Sequence, residues 1–268
     1  MAANADPFVV YIGFDSREAV ASDIAAASIS RHTRHPLKFY YLKHRGLRKA
    51  GFFQRPWIVD SDTGNWRDLL DSKPFSTEFS HTRFLVPELQ KFRGWALFMD
   101  ADMIFQNDIT KLFSKCDDKY AVMCVKHHHE PTVDTSKMDG RSQLKYYRKN
   151  WSSFVLWNCS HPSNRGITKE KVNFMAGRDL HSFSWLKDEE IGALSFNYNY
   201  ISGVSPILSD KPSVIHYTEG GPWFDECKNV PYADLWDHEL RLWHEDGSPN
   251  YDHQFIDRSL DKIRDAAE

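Results

Sequence analysis

Trp95-Ala96-Leu97-Phe98-Met99-Asp100-Ala101-Asp102-Met103-Ile104-Phe105 is the stretch on which the reading of this chain turns. Its apolar and aromatic residues, preceded by Gly94 and followed by Asn107-Asp108, predict a buried strand. Two carboxylates one residue apart interrupt it, and burying them is costly unless something offsets their charge. Taken alone, Asp-x-Asp is a strand closing in an Asx-capped turn. In suitable company it is a divalent-cation site, because hard cations take oxygen ligands and often bind through one or two carboxylates plus substrate phosphates.

On its N-terminal side, residues 8–14 form an apolar, β-rich run closed by Gly13 and Asp15-Ser16. Val20, Ile24, Ala27 and Ile29 then recur at helical spacing, and residues 36–42 predict a second strand. A strand, tight turn, helix and strand open an α/β fold, whose ligands bind beyond the carboxyl ends of the strands. Ile12, Gly13, Phe14, Asp15 and Arg17 are therefore candidates for a nucleotide seat. The turn is neither G-x-G-x-x-G nor a Walker loop, so a dinucleotide or P-loop site is not supported. Residues 43–76 are expected to be loop with little regular structure. Residues 81–89 predict a helix broken near Pro87, with Arg83 either a surface ion-pair partner or an anion contact.

On the C-terminal side, residues 120–125 predict another buried strand, ending in Lys126-His127-His128-His129. Adjacent side chains in extended chain point to opposite faces, and zinc motifs space their ligands, so a lining role is favoured over metal binding. Residues 146–158 are a polar entry into a strand, where small Ser152 and Ser153 leave room for a ligand or mark a bulge or edge. Asp188-Glu189-Glu190 fits an acidic helix N-terminus. Residues 196–201 and 214–217 predict the last strands. The second carries His216 into Thr218-Glu219-Gly220-Gly221-Pro222-Trp223, where the glycines let backbone approach a ligand. Trp236, Leu240 and Trp243 recur at helical spacing, and a charged helix is expected over 255–267. One domain is the simplest organisation, with a core at 8–224 and a helical extension at 225–268.

The net charge of -3 implies no general attraction for nucleic acid. Cys116, Cys124, Cys159 and Cys227 form no C-x-x-C pair, which predicts reduced thiols in a cytoplasmic protein. No apolar run approaches the ~18 residues of a membrane span, and the short polar start lacks a signal sequence's features. Aromatic residues are abundant, but they fill cores as readily as they stack on sugars or bases.

The order of these features resembles a GT-A glycosyltransferase: an Asp in the first βα turn, Arg-Phe-Leu-x-Pro-Glu-Leu, Phe-Met-Asp-Ala-Asp, and His-Tyr-x-x-Gly-Gly-Pro-Trp. More narrowly it resembles the glycogenin-like, family 8 type of retaining enzyme and its bacterial relatives, over residues 8–224. The resemblance implies an α/β, Rossmann-like fold with a central mixed, mostly parallel sheet that binds a nucleotide sugar, UDP-linked by preference. It implies Mn2+ (or Mg2+) held by Asp100, Asp102 and His216, with Ala101 between the ligands and Ile12 to Arg17 lining the base and ribose. Arg83, Ser152, Ser153, Gly220 and Gly221 would face the donor. Asp188 and Glu189 would stand near the anomeric carbon. Glu189 replaces a Gln of the family's Asp-Gln-Asp, and Gly221 replaces a Lys that clamps the departing diphosphate; Lys126 or Lys149 is a candidate substitute. The implied activity is hexosyl transfer to an acceptor (glycan, lipid or protein), with retention. The alternatives are a sugar nucleotidyltransferase, whose basic Gly-rich loop is missing, and a non-catalytic carbohydrate-binding module. The oligomeric state is open, a homodimer included.

Overall fold

The structure is a computed structural model and describes residues 5–61, 66–127, 148, 151–206 and 210–253. In chain order, β1 (Phe8–Gly13) leads through a short 3-10 turn into α1 (Ala19–Arg31) and β2 (Leu37–Leu42). After α2 (His44–Lys49) come the short strands β3 (Trp57–Val59), β4 (Trp66–Asp68) and β5 (Pro74–Phe75). Then follow α3 (Val86–Leu89), β6 (Trp95–Met99), β7 (Met103–Phe105), α4 (Thr110–Phe113) and β8 (Val122–Cys124). The rest comprises β9 (Phe154–Asn158), α5 (Lys169–Phe174), α6 (Gly177–His181), β10 (Ile191–Ala193), β11 (Tyr200–Ile201), β12 (Val214–His216) and α7 (Ala233–Glu245).

The main sheet has the order β10-β8-β9-β6-β1-β2. All its strands run parallel except β9, which is antiparallel to both β6 and β8. The carboxyl ends of the five parallel strands therefore share one sheet edge with the amino end of β9. Both faces are covered. Tyr11, Phe98, Val155 and Trp157 pack on one side, and Val10, Ile12, Leu97, Met99 and Phe154 on the other. That is why these strands read as near-continuous apolar runs rather than alternating ones. A second sheet, β11-β12-β7, continues from β6 through the Asp-x-Asp bend, with His216 opposite Met103. Helix α1, rich in buried alanine, lies against β7, and Ser28 Oγ accepts from the Phe105 amide at 2.9 Å. Its far end is joined to α7 by Arg31, whose Nε donates to buried Glu239 at 2.9 Å.

Several local expectations are corrected. Residues 43–76 contain α2 and a separate antiparallel sheet, β3-β4-β5, rather than loop alone. This sheet is fastened by Arg55, 1% exposed, which pairs with Asp68 and donates to the carbonyls of Val172 and Met175. Pro87 does not break a helix. Thr82–Leu85 is a 3-10 turn, and α3 starts with the proline in its first turn, where a missing N–H costs little. The strand after Ser152-Ser153 is internal, not an edge, and the two serines form a buried 3-10 turn with Trp151. Asp188–Glu190 is a 3-10 turn leading into β10, and Phe196–Tyr198 is another leading into β11. The helix expected over 255–267, and His128, His129 and Lys149, lie outside the described residues.

On the outer side of β2, Phe39 bridges to Asp252. The His253 amide donates to Phe39 O at 2.9 Å, and Asp252 accepts from the Tyr41 amide at 3.1 Å and from Lys43 Nζ at 2.7 Å.

Candidate metal centre and cleft

Asp100 follows the last residue of β6, and the chain bends through Ala101 and Asp102 into β7. Two backbone bonds fix the bend. The Asp100 amide donates to Ser153 O at 2.9 Å, and Asp102 O accepts from the Tyr217 amide at 2.8 Å. Ala101 is 1% exposed, so this linker is packed as well as bonded. The sheet pairing then brings His216, the last residue of β12, alongside. Ligand atoms of Asp100, Asp102 and His216 lie within 4.8 Å of one another, and His216 Nε2 is 3.3 Å from Asp102 Oδ1.

Arg83 completes the buried group. Its Nη1 lies 2.9 Å from Asp100 Oδ1 and donates to Ser152 O at 3.0 Å, while its guanidinium packs 5.1 Å from the rings of Phe79 and Phe98. Two carboxylates thus meet one fixed cation, which leaves the electrostatic balance in favour of a further positive charge. The imidazole supports the same assignment. His216 is 1% exposed, its Nδ1 lies 2.9 Å from Asn199 Oδ1, and its buried Nε2 has no hydrogen-bond partner among the described residues. Two carboxylates plus an imidazole nitrogen turned toward them are donors that suit Mn2+, which accepts both oxygen and nitrogen.

Asp100 and Asp102 open onto a cleft of roughly 630 Å³, part of it open solvent, with Arg17, Ser76, Tyr217 and Gly220 also on its walls. Arg17 comes from the first βα turn. Asp15, wholly buried, accepts from the Arg17 amide at 3.0 Å and Nε at 2.9 Å, and from the Glu78 amide at 3.2 Å. Arg17 Nη2 donates to Ser76 O at 2.7 Å, and the guanidinium lies 4.8 Å from the Trp66 ring centre. Asp15 is thus spent on shaping the turn and aiming Arg17. Ile12 is in the core, and a Cβ on Gly13 would stand 2.4 Å from the Phe79 ring. Phe14 packs by Tyr41 under Lys43.

Ser152 and Ser153 are buried and bonded rather than open. Ser152 Oγ lies 2.7 Å from His181 Nδ1, and Ser153 Oγ accepts from Asn199 at 3.0 Å. Gly220 has φ +117°, where a side chain is strained, and a Cβ at Gly221 would stand 2.0 Å from the Trp223 ring. A side chain at position 221 requires the Trp223 ring to move. Arg17 is the cation among the described residues lining the cleft. Lys126 instead lies 5.5 Å from the Trp151 ring centre. His127, after β8, is held neutral by burial, which lowers its pKa to about 4, with His216 a smaller contributor. Asp188 and Glu189 are not brought to the cluster. They precede the amino end of β10, whereas the cluster lies at the carboxyl ends, and exposed Asp188 pairs with Arg148. Asn199 is the residue that sequence reasoning missed. Two amides within the aromatic run Phe196-Asn197-Tyr198-Asn199-Tyr200-Ile201 were the available signal, with nothing to single out the second.

No family model matches the chain. Among curated proteins, Protein CDI of Arabidopsis thaliana is 40% identical over 250 residues, covering 92% of this chain and 91% of that protein. Among solved structures, the galactosyltransferase LgtC in complex with donor and acceptor sugar analogues superposes with a TM-score of 0.55 at 12% identity, over 88% of this chain and 96% of LgtC. The glycosyltransferase GlyE of Streptococcus pneumoniae TIGR4 gives 0.55 at 14% identity, over 94% and 67%. The bifunctional glycosyltransferase WbbM gives 0.60 at 15% identity, over 92% of this chain and 52% of WbbM, so the chain spans about half of that protein. The fold is the GT-A glycosyltransferase fold.

Proposed function

The chain belongs to the same family as Protein CDI of Arabidopsis thaliana, and on that footing we propose that it is a metal-dependent glycosyltransferase. It moves a hexose from a nucleotide-diphosphate sugar, UDP-linked by preference, to a glycan, lipid or protein acceptor. The observation that carries this is the Asp100, Asp102 and His216 group, whose two carboxylates line an open cleft at the carboxyl ends of the parallel strands while the histidine lies buried beside them. These three residues would hold Mn2+ or Mg2+. The bound ion offsets the negative charge that develops on a departing diphosphate.

The protein's own residues do the rest. Arg83 pairs with Asp100 and aims it, and Arg17, itself paired with Asp15, is the cation on the cleft wall among the described residues. Retention follows a front-face course. The bond between anomeric carbon and diphosphate oxygen breaks, the acceptor oxygen bonds to the same face, and its proton passes to the departing phosphate oxygen. This course needs no carboxylate nucleophile, in keeping with the pairing of Asp188 to Arg148.

The test is incubation of the protein with Mn2+ and a panel of sugar nucleotides, with and without chelator. Release of free nucleotide that stops on chelation, and in Asp102→Asn and His216→Ala proteins that still fold, is the expected result. Consumption of pyrophosphate instead would make the protein a nucleotidyltransferase. Undiminished nucleotide release in chelator would remove the metal from the account.

A further inference from the structure

Asn199 touches neither the cleft nor a carboxylate, yet it is 0% exposed and both ends of its amide are engaged. Its Nδ2 donates to Ser153 Oγ at 3.0 Å, and its Oδ1 lies 2.9 Å from His216 Nδ1. An amide oxygen can only accept, so the nitrogen facing it must carry the proton. That leaves Nε2 of His216 with its lone pair bare. The other side of the ring agrees. Nε2 lies 3.3 Å from Asp102 Oδ1, but no hydrogen bond forms there, and this buried nitrogen has no hydrogen-bond partner among the described residues.

We infer that Asn199 is a positioning residue for the metal centre: it locks His216 as the tautomer protonated on Nδ1 and turns Nε2 toward Asp100 and Asp102. The inference rests on the metal reading of the same site. Its physical basis is general, since a ligating histidine almost always donates its second ring N–H to a fixed acceptor, which sets ring orientation and basicity. Here the acceptor is itself anchored. Ser153, which holds Asn199 through its hydroxyl, also accepts the Asp100 amide through its carbonyl at 2.9 Å. One residue therefore ties two ligands from separate sheets into a common frame. Ser153 is 6% exposed and Asn199 sits just before β11, which runs parallel to the strand bearing His216, so neither anchor has freedom to swing.

Two measurements on the full chain test this. The first titrates MnCl2 calorimetrically into chelator-treated protein. Asn199→Leu, which keeps the volume and removes the acceptor, should weaken binding roughly ten- to hundredfold, while Asn199→Asp, which keeps an acceptor oxygen, should stay within about threefold of wild type. The second is a long-range proton–nitrogen spectrum of metal-free wild type at a pH where imidazoles are neutral; it should show His216 protonated on Nδ1. A folded Asn199→Leu protein with wild-type Mn2+ affinity would overturn the inference, and so would His216 protonated on Nε2. Wild type that binds no Mn2+ would defeat the metal reading instead. The nitrogen spectrum then still decides Asn199's effect on the tautomer, as it does if Asn199→Leu fails to fold.

Discussion

Replacing Arg83 with methionine should weaken the metal-free protein and at the same time enlarge its response to metal. Arg83 Nη1 and Asp100 Oδ1 are 2.9 Å apart, with both side chains nearly enclosed. At an effective dielectric of 20 the pair attracts by about 6 kcal/mol, from which the desolvation of both ions must be subtracted. Removing one partner of such a pair costs about 3–5 kcal/mol, because the remaining charge is left buried. The lower end applies, since Asp100 also faces the cleft and methionine retains part of the packing on Phe79 and Phe98. About 3 kcal/mol corresponds to a fall in Tm of roughly 6–12 °C for a chain of this size. A divalent cation beside Asp100 would supply the lost positive charge, so saturating Mn2+ should raise the Tm of Arg83→Met by more degrees than that of wild type. Differential scanning fluorimetry with and without Mn2+ makes the comparison. An unchanged apo Tm, or a smaller metal-induced rise in the variant, would refute the idea that guanidinium and cation share the task of offsetting Asp100.

Two other perturbations follow from described contacts. Gly221→Lys, which installs the residue that the resemblance to glycogenin-like enzymes led one to expect there, drives a Cβ to within 2.0 Å of the Trp223 ring; denaturant titration should show a loss of about 1–3 kcal/mol, typical of overpacking, and a shift in tryptophan emission. Wild-type stability in that protein would mean the loop is not as tightly closed as described. Acidification is the second. Burial, reinforced by nearby cations, holds His81 and His181 well below the usual 6.5. Below that value the unfolded chain binds protons that the folded one does not, so stability should fall as pH drops, by up to about 1.4 kcal/mol per pH unit for each histidine. Urea midpoints that stay level between about pH 7 and pH 5 would contradict this.

How much of this was legible varied with the physical signal each residue left in the chain. The strand-ending aspartates were readable because two charges inside a continuous apolar run have few explanations. His216 was readable at the end of another such run. The sheet β3-β4-β5 was not, since two- and three-residue strands are too short to show alternation and depend on buried Arg55, whose partners at Val172 and Met175 are more than a hundred residues away. The direction of β9 was equally hidden, because a strand buried on both faces carries no mark of its polarity. Asn199 and His181 act through side-chain hydrogen bonds across the fold, and periodicity carries no trace of these. The Asp188-Glu189-Glu190 segment shows the opposite hazard. Its acidic composition fitted a helix N-terminus and the family resemblance put it near the anomeric carbon, but neither could say at which end of β10 it would lie.

The segment that lies along β2 has a bearing on how this protein behaves at high concentration. An outermost strand presents a row of unpaired amides and carbonyls, a template on which another molecule's strand can grow. Here Asp252 and His253 meet that row at Phe39 and Tyr41, partly with side chains in place of backbone, and the carboxylate's charge is answered by Lys43. Because the cover is short and made partly of side-chain bonds, it offers a further strand little to extend. Trimming the chain just after Gly247 would leave the six-stranded sheet with an open flank, primed to stack edge to edge.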